Sequence, residues 1–267
     1  MQTDTPIKAI AIDLDGTLLT SDKQITPYTL EVLSALKGQG IHISIATGRS
    51  LATTIRFIEQ VGTNFPAVLY NGSCLWDPLS ATDVWHTALE HDICSQIVAL
   101  GATGGAKLHA FMNHQLYFDE NDRHADTFEP LSAVVGKAVN FASLGPLSFT
   151  KAMFLGPPEQ TKPIREQLHS QFGNRIHTVY SHPTFLEVMS QGATKGAALE
   201  RLMKLHGIDS AHVAVFGDAD NDVEMLKWAG FSYAMANASE AVKQVADEII
   251  LGNDEEGVAK KLAQLLH

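Results

Sequence analysis

Strand-type and helix-type segments alternate twice in this chain, over residues 7–72 and again from 197 onward, with a differently patterned stretch between them. Parallel strands joined by crossover helices require such alternation, because a tight turn cannot connect parallel neighbours. Residues 7–13 read as a buried strand. Thr26 and Pro27 then supply a capping hydroxyl and a proline for the first helical position. Leu30, Leu33 and Leu36 recur at helical spacing, and Gly38 and Gly40 close the segment. A strand over 41–46, a helix over 51–60 and a third short strand over 66–70 follow. The later block reads as a helix over 197–205, a strand over 213–216, a helix to about residue 229 and a strand over 231–235. A helix over 240–245, a strand over 248–251 and a closing amphipathic helix complete it.

The middle is of another kind. Residues 107–112 and 115–118 read as a hairpin around Asn113 and His114, with further strands over 151–155, 176–180 and 184–189 and helices over 90–100 and 160–171. The expected fold class is α/β: a doubly wound, Rossmann-like parallel sheet built from residues 1–82 and 191–267, interrupted by an inserted α+β module over 83–190. Crossings are expected near 77–83 and 190–193. The glycine-rich stretch 101–107 has the wrong spacing for a nucleotide-binding loop, lacks a strand before it, and reads as a helix-to-strand link.

Composition narrows the partners. A formal net charge of −11 argues against nucleic acid and anionic membranes, which reward clusters of Lys and Arg. It leaves room for a small phosphate, which needs only one or two fixed cations and a bound metal. Two cysteines in 267 residues, Cys74 and Cys94, make no disulfide framework and read as buried fillers in a reducing compartment. The N-terminal apolar stretch is short and runs into Asp13 and Asp15, so no signal peptide is read there, and no run approaches the length of a membrane span. A cytoplasmic location is expected.

Chemistry-bearing residues fall at strand exits, where open parallel sheets bind ligands. The first strand breaks into Asp13-Leu14-Asp15-Gly16-Thr17, the second into Thr47-Gly48-Arg49, the third into Asn71-Gly72, and a late one into the 217–225 segment GDADNDVEM. Ionised carboxylates at such places need a cation, a hydrogen-bonding partner or a reaction to serve. Converging ones make an oxygen-rich pocket suited to a hard cation, foremost Mg²⁺. Lys195 sits at a helix start, where it opposes the helix dipole, a poor position for stability but a good one for meeting a phosphate.

Those motifs, in that order, resemble the haloacid dehalogenase superfamily, and more narrowly its Cof-type phosphatases with a large inserted cap of the C2B type. The strings MANA (235–238) and TFLEVMSQGATKGAAL (184–199) look like the same family. The resemblance spans residues 7–251. It implies that Asp13 attacks phosphorus and forms an aspartyl phosphate, and that Asp15 protonates the leaving alcohol and then activates water. It implies Mg²⁺ held by Asp13, the Asp15 carbonyl and Asp218, with Leu14, Thr47, Gly48, Lys195 and Asn221 around the phosphoryl oxygens. Asp222 would orient Lys195 or a metal-bound water. Arg49 and Asn71 are candidates for substrate contact, Arg49 equally for a structural ion pair, and Asp220 reads as a solvated turn residue. Dehalogenases of the superfamily lack an acid at the position of Asp15, so its presence favours phosphoryl transfer to water.

The implied function is hydrolysis of a small phosphorylated metabolite, such as a sugar phosphate, pyridoxal phosphate or flavin mononucleotide, with the cap closing over the site and choosing the leaving group. Two rivals are weighed. A phosphomutase resembling phosphomannomutase would need basic residues in the cap to grip a second phosphate, and few are present. A phospho-accepting signalling protein would have neither the insertion nor an acid at Asp15. Oligomeric state is not legible. His86, His91, His109, His114, His124 and His182 show no metal-binding spacing and are expected at surface or edge positions. Tyr117, Phe118 and Tyr180 could stack on a substrate ring, core packing being the commoner use of such residues.

Overall fold

In the computed structural model, residues 7–119 and 135–266 are described; His124 lies outside them. Five strands come first among these residues: β1 (Ala9–Ile12), β2 (His42–Ile45), β3 (Ala67–Leu69), β4 (Cys74–Asp77) and β5 (Thr82–His86). Then follow β6 (Lys107–Met112), β7 (Gln115–Asp119), β8 (Lys137–Val139), β9 (Lys151–Leu155), β10 (Ile176–His182) and β11 (Phe185–Ser190). The last are β12 (Val213–Gly217), β13 (Phe231–Met235) and β14 (Glu248–Ile250).

Backbone proximity divides the chain into two compact units. One runs to Gly48, then takes Thr54–Trp85 and everything from Thr194 onward; the other comprises Arg49–Thr53 and His86–Ala193. The first unit holds a parallel sheet in the order β14-β13-β12-β1-β2. β1 is central and buried along its whole length, as a strand covered on both faces must be, which is why its sequence is an unbroken apolar run. Its register sets Ile12 beside both Phe216 and Ile45. From β1 the chain proceeds outward to β2 on one side, and from β12 outward to β13 on the other. The gap between β1 and β12 is therefore the topological switch point, where the carboxyl ends of neighbouring strands leave a crevice.

Helix starts follow their local chemistry. Thr26 accepts from the Thr29 N–H and Pro27 opens the helix Pro27–Gly38. Thr194 caps Lys195–Leu205 by accepting from the Ala197 N–H, so Lys195 is the first residue of that helix rather than the residue before it.

One expectation is corrected in this unit. The third strand, β3, does not extend the ladder as a further parallel strand. It touches the parallel sheet through a single bridge, Ala46 to Val68, and pairs antiparallel with β4 in a three-stranded sheet β3-β4-β5. Residues 78–81 form the turn between β4 and β5, in which Asp77 accepts from the Leu79 N–H, the Ser80 N–H and the Ser80 hydroxyl. Thr82, Asp83 and Val84 of β5 are all exposed, so no buried face wrote an alternation into that strand.

The second unit carries the sheet β10-β11-β9-β6-β7-β8, antiparallel except for the β7–β8 pair. The β6–β7 hairpin turns through Asn113 and His114, both left-handed at φ 49° and 61°, the conformation a two-residue turn between twisted strands demands. One face of the sheet packs against helices His91–Thr103 and Pro158–Phe172, with Leu108, Ala110, Ala152, Phe154, Leu186 and Val188 meeting Ile93, Ile97, Ile164 and Leu168. Tyr117 and Tyr180 pack against this cluster, the commoner use of such rings. His109 departs from the expected surface position. It lies on β6 at 1% exposure, its ring tilted against Phe118.

Candidate active site

The crevice between β1 and β12 is built from short-range backbone geometry. The Asp13 N–H donates to the Phe216 carbonyl, extending the ladder one residue past β1. The chain then coils, with Leu18 N–H donating to Asp13 O and Leu19 N–H to Leu14 O. Gly16 makes this possible. Its φ is +81°, and a β-carbon there would sit 2.3 Å from Asp218 Oδ2, so only glycine fits between the two acidic loops. Thr17, one residue on, donates its hydroxyl to Asp218 Oδ1 at 2.7 Å. The Asp15 carboxylate accepts from Lys23 Nζ at 2.9 Å in a solvent-exposed pair.

Lys195 joins two of the expected residues. Its ammonium is 1% exposed and donates to Asp13 Oδ1 at 2.6 Å and to Asp222 Oδ1 at 2.7 Å. The second oxygen of Asp222 accepts from the Asp218 and Ala219 N–H groups, so this carboxylate ties the lysine to the loop after β12. Carboxylate oxygens of Asp13, Asp218 and Asp222 lie within 4.8 Å of one another.

Three carboxylates beside one ammonium leave an excess of negative charge in a largely dry place. Burial raises the Asp13 pKa well above the usual carboxylate range; Lys195 opposes that effect, while Asp222 and Asp218 add to it. Asp218 is pushed up to about 6, again chiefly by burial, with the Thr17 hydroxyl pulling the other way. Burial by itself would depress the Lys195 pKa, but the Asp13 and Asp222 carboxylates overcome it and the group stays protonated. Uncompensated buried carboxylates with oxygen-only donors fit a hard divalent cation, whose charge would remove the strain. Asp222, whose oxygens already receive Lys195 and two N–H groups, is the least available of the three as a ligand.

Thr47, Gly48 and Asn71 follow β2 and β3, and Asn221, after β12, reaches Asn71. Thr47 is buried, its N–H donating to Val68 O. Asn221 Nδ2 donates to Asn71 Oδ1 at 2.9 Å, and Gly48 lies against the same Asn71 amide. Arg49 falls in the other compact unit. Asp220 is exposed, as a turn residue would be, and accepts from the Ser239 hydroxyl.

A sequence model of haloacid dehalogenase-like hydrolases matches residues 10–262, from the first strand through the closing helix. The chain belongs to that family. Among its relatives is the 5-amino-6-(5-phospho-D-ribitylamino)uracil phosphatase YitU of Bacillus subtilis (strain 168), 32% identical over 262 residues, covering 96% of each chain. The phosphatase of the same description from Escherichia coli (strain K12), YbjI, is 30% identical over 273 residues, covering 97% of this chain and 96% of that one. A solved haloacid dehalogenase-like hydrolase from Bacteroides thetaiotaomicron superposes with a TM-score of 0.89 at 27% identity, covering 97% of this chain and 99% of the other. The hydrolase thus groups with the Cof-type phosphatases, and phosphoric monoester hydrolysis is its class of chemistry.

Sequence reasoning passed over several residues that the hydrolase uses to hold this region together. Thr17 stands inside the first motif, but its hydroxyl partner is far away in sequence. Asn237 donates to the Gly16 carbonyl at 2.8 Å, which gives the 235–238 string a physical task. Ser239 N–H donates to the Asp218 carbonyl. The one available signal was a run of small polar residues just past a strand end, the usual furniture of a strand-to-helix turn. Cys74 and Cys94 are both buried free thiols, as read. Burial lifts the Cys94 thiol to about 11 and raises that of Cys74 still further.

Proposed function

We propose that this hydrolase is a Mg²⁺-dependent phosphatase that cleaves a small phosphorylated metabolite through an aspartyl-phosphate intermediate. The observation that carries the reading is the Lys195 ammonium held between Asp13 and Asp222 at the switch point of the sheet. Lys195 has three donor hydrogens and these partners take two, leaving one for a phosphoryl oxygen. In the first step the Asp13 carboxylate attacks phosphorus, the bond to the leaving oxygen breaks, and Asp15 delivers a proton to that oxygen. In the second, Asp15 takes a proton from water as the water oxygen bonds to phosphorus, the Asp13–phosphorus bond breaks, and inorganic phosphate departs. Thr47, the Gly48 and Leu14 backbone and Asn221 would orient the phosphoryl oxygens. Asp13, Asp218 and the Asp15 carbonyl would hold the cation, which supplies positive charge against the oxygens of the transferring group.

The substrate proposed is a phosphate ester of a sugar or sugar alcohol, including one that bears a nitrogen heterocycle, the chemistry named for the Bacillus and Escherichia relatives. Choice among such esters is assigned to the inserted segment, because the reacting carboxylates and Lys195 all lie in the other unit. Among the described residues no helix is long and apolar enough to cross a membrane, and a cytoplasmic metabolite pool is the proposed source. The test is Asp13→Asn: phosphate release from p-nitrophenyl phosphate and from a panel of phosphorylated metabolites should vanish while circular dichroism stays native. Full turnover by that variant would remove Asp13 as nucleophile.

A further inference from the structure

Tyr70, Asn71 and Gly72 follow one another in the left-handed region, with φ of 52°, 55° and 104°. Glycine adopts this freely, asparagine tolerates it, and for a tyrosine it is a strained conformation. Strain of this sort persists only where the surroundings over-determine it. Here the surroundings are the loops that carry the expected phosphate donors. The Asn71 N–H donates to the Thr47 carbonyl at 3.1 Å. The Asn71 side-chain oxygen accepts from Asn221 Nδ2 at 2.9 Å. A β-carbon on Gly48 would stand 2.8 Å from that same oxygen, so the second loop is pressed onto the Asn71 amide. On the other side, a β-carbon on Gly72 would lie 2.2 Å from the carbonyl of Thr194, the residue that caps the helix beginning at Lys195.

We propose that the turn Tyr70–Gly72 is a positioning element for the phosphate cradle, with Asn71 as its working side chain; this rests on the phosphatase reading above. One turn meets three donor-bearing segments, Thr47–Gly48, Thr194–Lys195 and Asn221, and so sets the spacing between groups supplied from distant parts of the chain. Asn71 acts through Asn221 rather than on the substrate: it is 3% exposed and its amide oxygen is engaged by its neighbour. The second hydrogen of Asn221 Nδ2 remains for a phosphoryl oxygen, and the contact with Asn71 fixes where it points.

Asn71→Gly tests this. Glycine keeps the left-handed backbone and the N–H bond to Thr47, and only the side chain is lost. The variant should fold like the native protein, yet its kcat on p-nitrophenyl phosphate should fall on the order of 10- to 100-fold, the range a small misplacement of catalytic donors costs. KM should stay within about threefold, since ground-state binding is not what is lost. Adding Asn221→Ala to Asn71→Gly should cost little more than the worse single variant, because the two amides act as one unit. In the free protein, the Asn221 side-chain amide resonances should shift and exchange faster in Asn71→Gly. Native kcat with an unchanged Asn221 signal, or losses that simply multiply in the double variant, would overturn the positioning role and leave the phosphatase reading standing. A native protein that releases no phosphate from any ester would overturn the phosphatase reading first, and this role with it.

Discussion

The hydroxyl of Thr17 donates to Asp218 Oδ1 at 2.7 Å, joining residues 201 positions apart in the chain. Thr17 is buried, and its bond is the main influence that draws the raised Asp218 pKa back down. Thr17→Val keeps the shape and deletes the donor. The cost expected for leaving a half-buried carboxylate oxygen without its partner is ~1 kcal/mol, seen as a Tm lower by about 2–4 °C. An unchanged Tm would mean that water replaces the hydroxyl without loss.

Asp218 itself should be a stability liability in the metal-free protein. Its folded pKa of about 6 lies above the ordinary carboxylate value, so the folded state favours the protonated form. The penalty for ionising it is therefore absent at low pH and grows as pH rises through 6. In EDTA at pH 7.5, Asp218→Asn should raise Tm by about 2–4 °C, equivalent to ~1 kcal/mol in a chain of this size. At pH 4, close to the ordinary carboxylate value, most of that gain should disappear. Millimolar Mg²⁺ should stabilise the native protein and have little effect on the variant, with differential scanning fluorimetry as the readout.

Lys195 sits between two carboxylates, and among the described residues no other cation pairs with either of them. Lys195→Ala should lower kcat on the order of 10²-fold or more. It should also destabilise the fold by ~3–5 kcal/mol, because removing one member of a buried charge set leaves the others unpaired. Lys195→Met, which fills the space, should recover part of the stability and none of the rate. A Met variant with native turnover would dismiss Lys195 from the chemistry.

In the inserted unit, Lys151 donates to Glu187 Oε1 at 2.9 Å with both side chains about 6% exposed, and the Ser181 hydroxyl donates to the same oxygen. Lys151→Met alone should lower stability by ~3–5 kcal/mol in chemical denaturation. Lys151→Met with Glu187→Leu should regain most of it, since two apolar groups in place of a buried pair are often neutral. A double variant no better than the single one would show that Glu187 is held chiefly by its other partners.

What could be read from the sequence follows what each element must do locally. β1 announced itself because a central parallel strand is apolar at every position, and the paired aspartates after it had no structural excuse. Lys195 was visible because a lysine at the start of a helix is misplaced unless something negative needs it. β5 was invisible because its exposed residues, Thr82, Asp83 and Val84, obey no buried period. β3 was legible as a strand but not in its pairing, since a short apolar segment fits a parallel or an antiparallel neighbour equally well. Thr17 and Asn71 were within motifs yet their partners, Asp218 and Asn221, lie far along the chain, and single-chain spacing carries no trace of such contacts. His109 was misplaced for a related reason: a histidine has no burial preference strong enough to reveal which face of a strand it occupies.

The strand order β14-β13-β12-β1-β2 also sets a timetable. A ribosome releases β1 and β2 early, but β12, the other neighbour of β1, appears only after the inserted segment has been made. At about 5–20 residues per second, the wait for those roughly 200 residues is ~10–40 s. During that interval the inserted segment can complete its own hydrophobic cluster, while one edge of β1 stays open beside the growing chain. Asp13 can meet Lys195 and Asp218 only once both have been made, so a nascent chain cannot carry out its chemistry before β12 and the loop after it arrive.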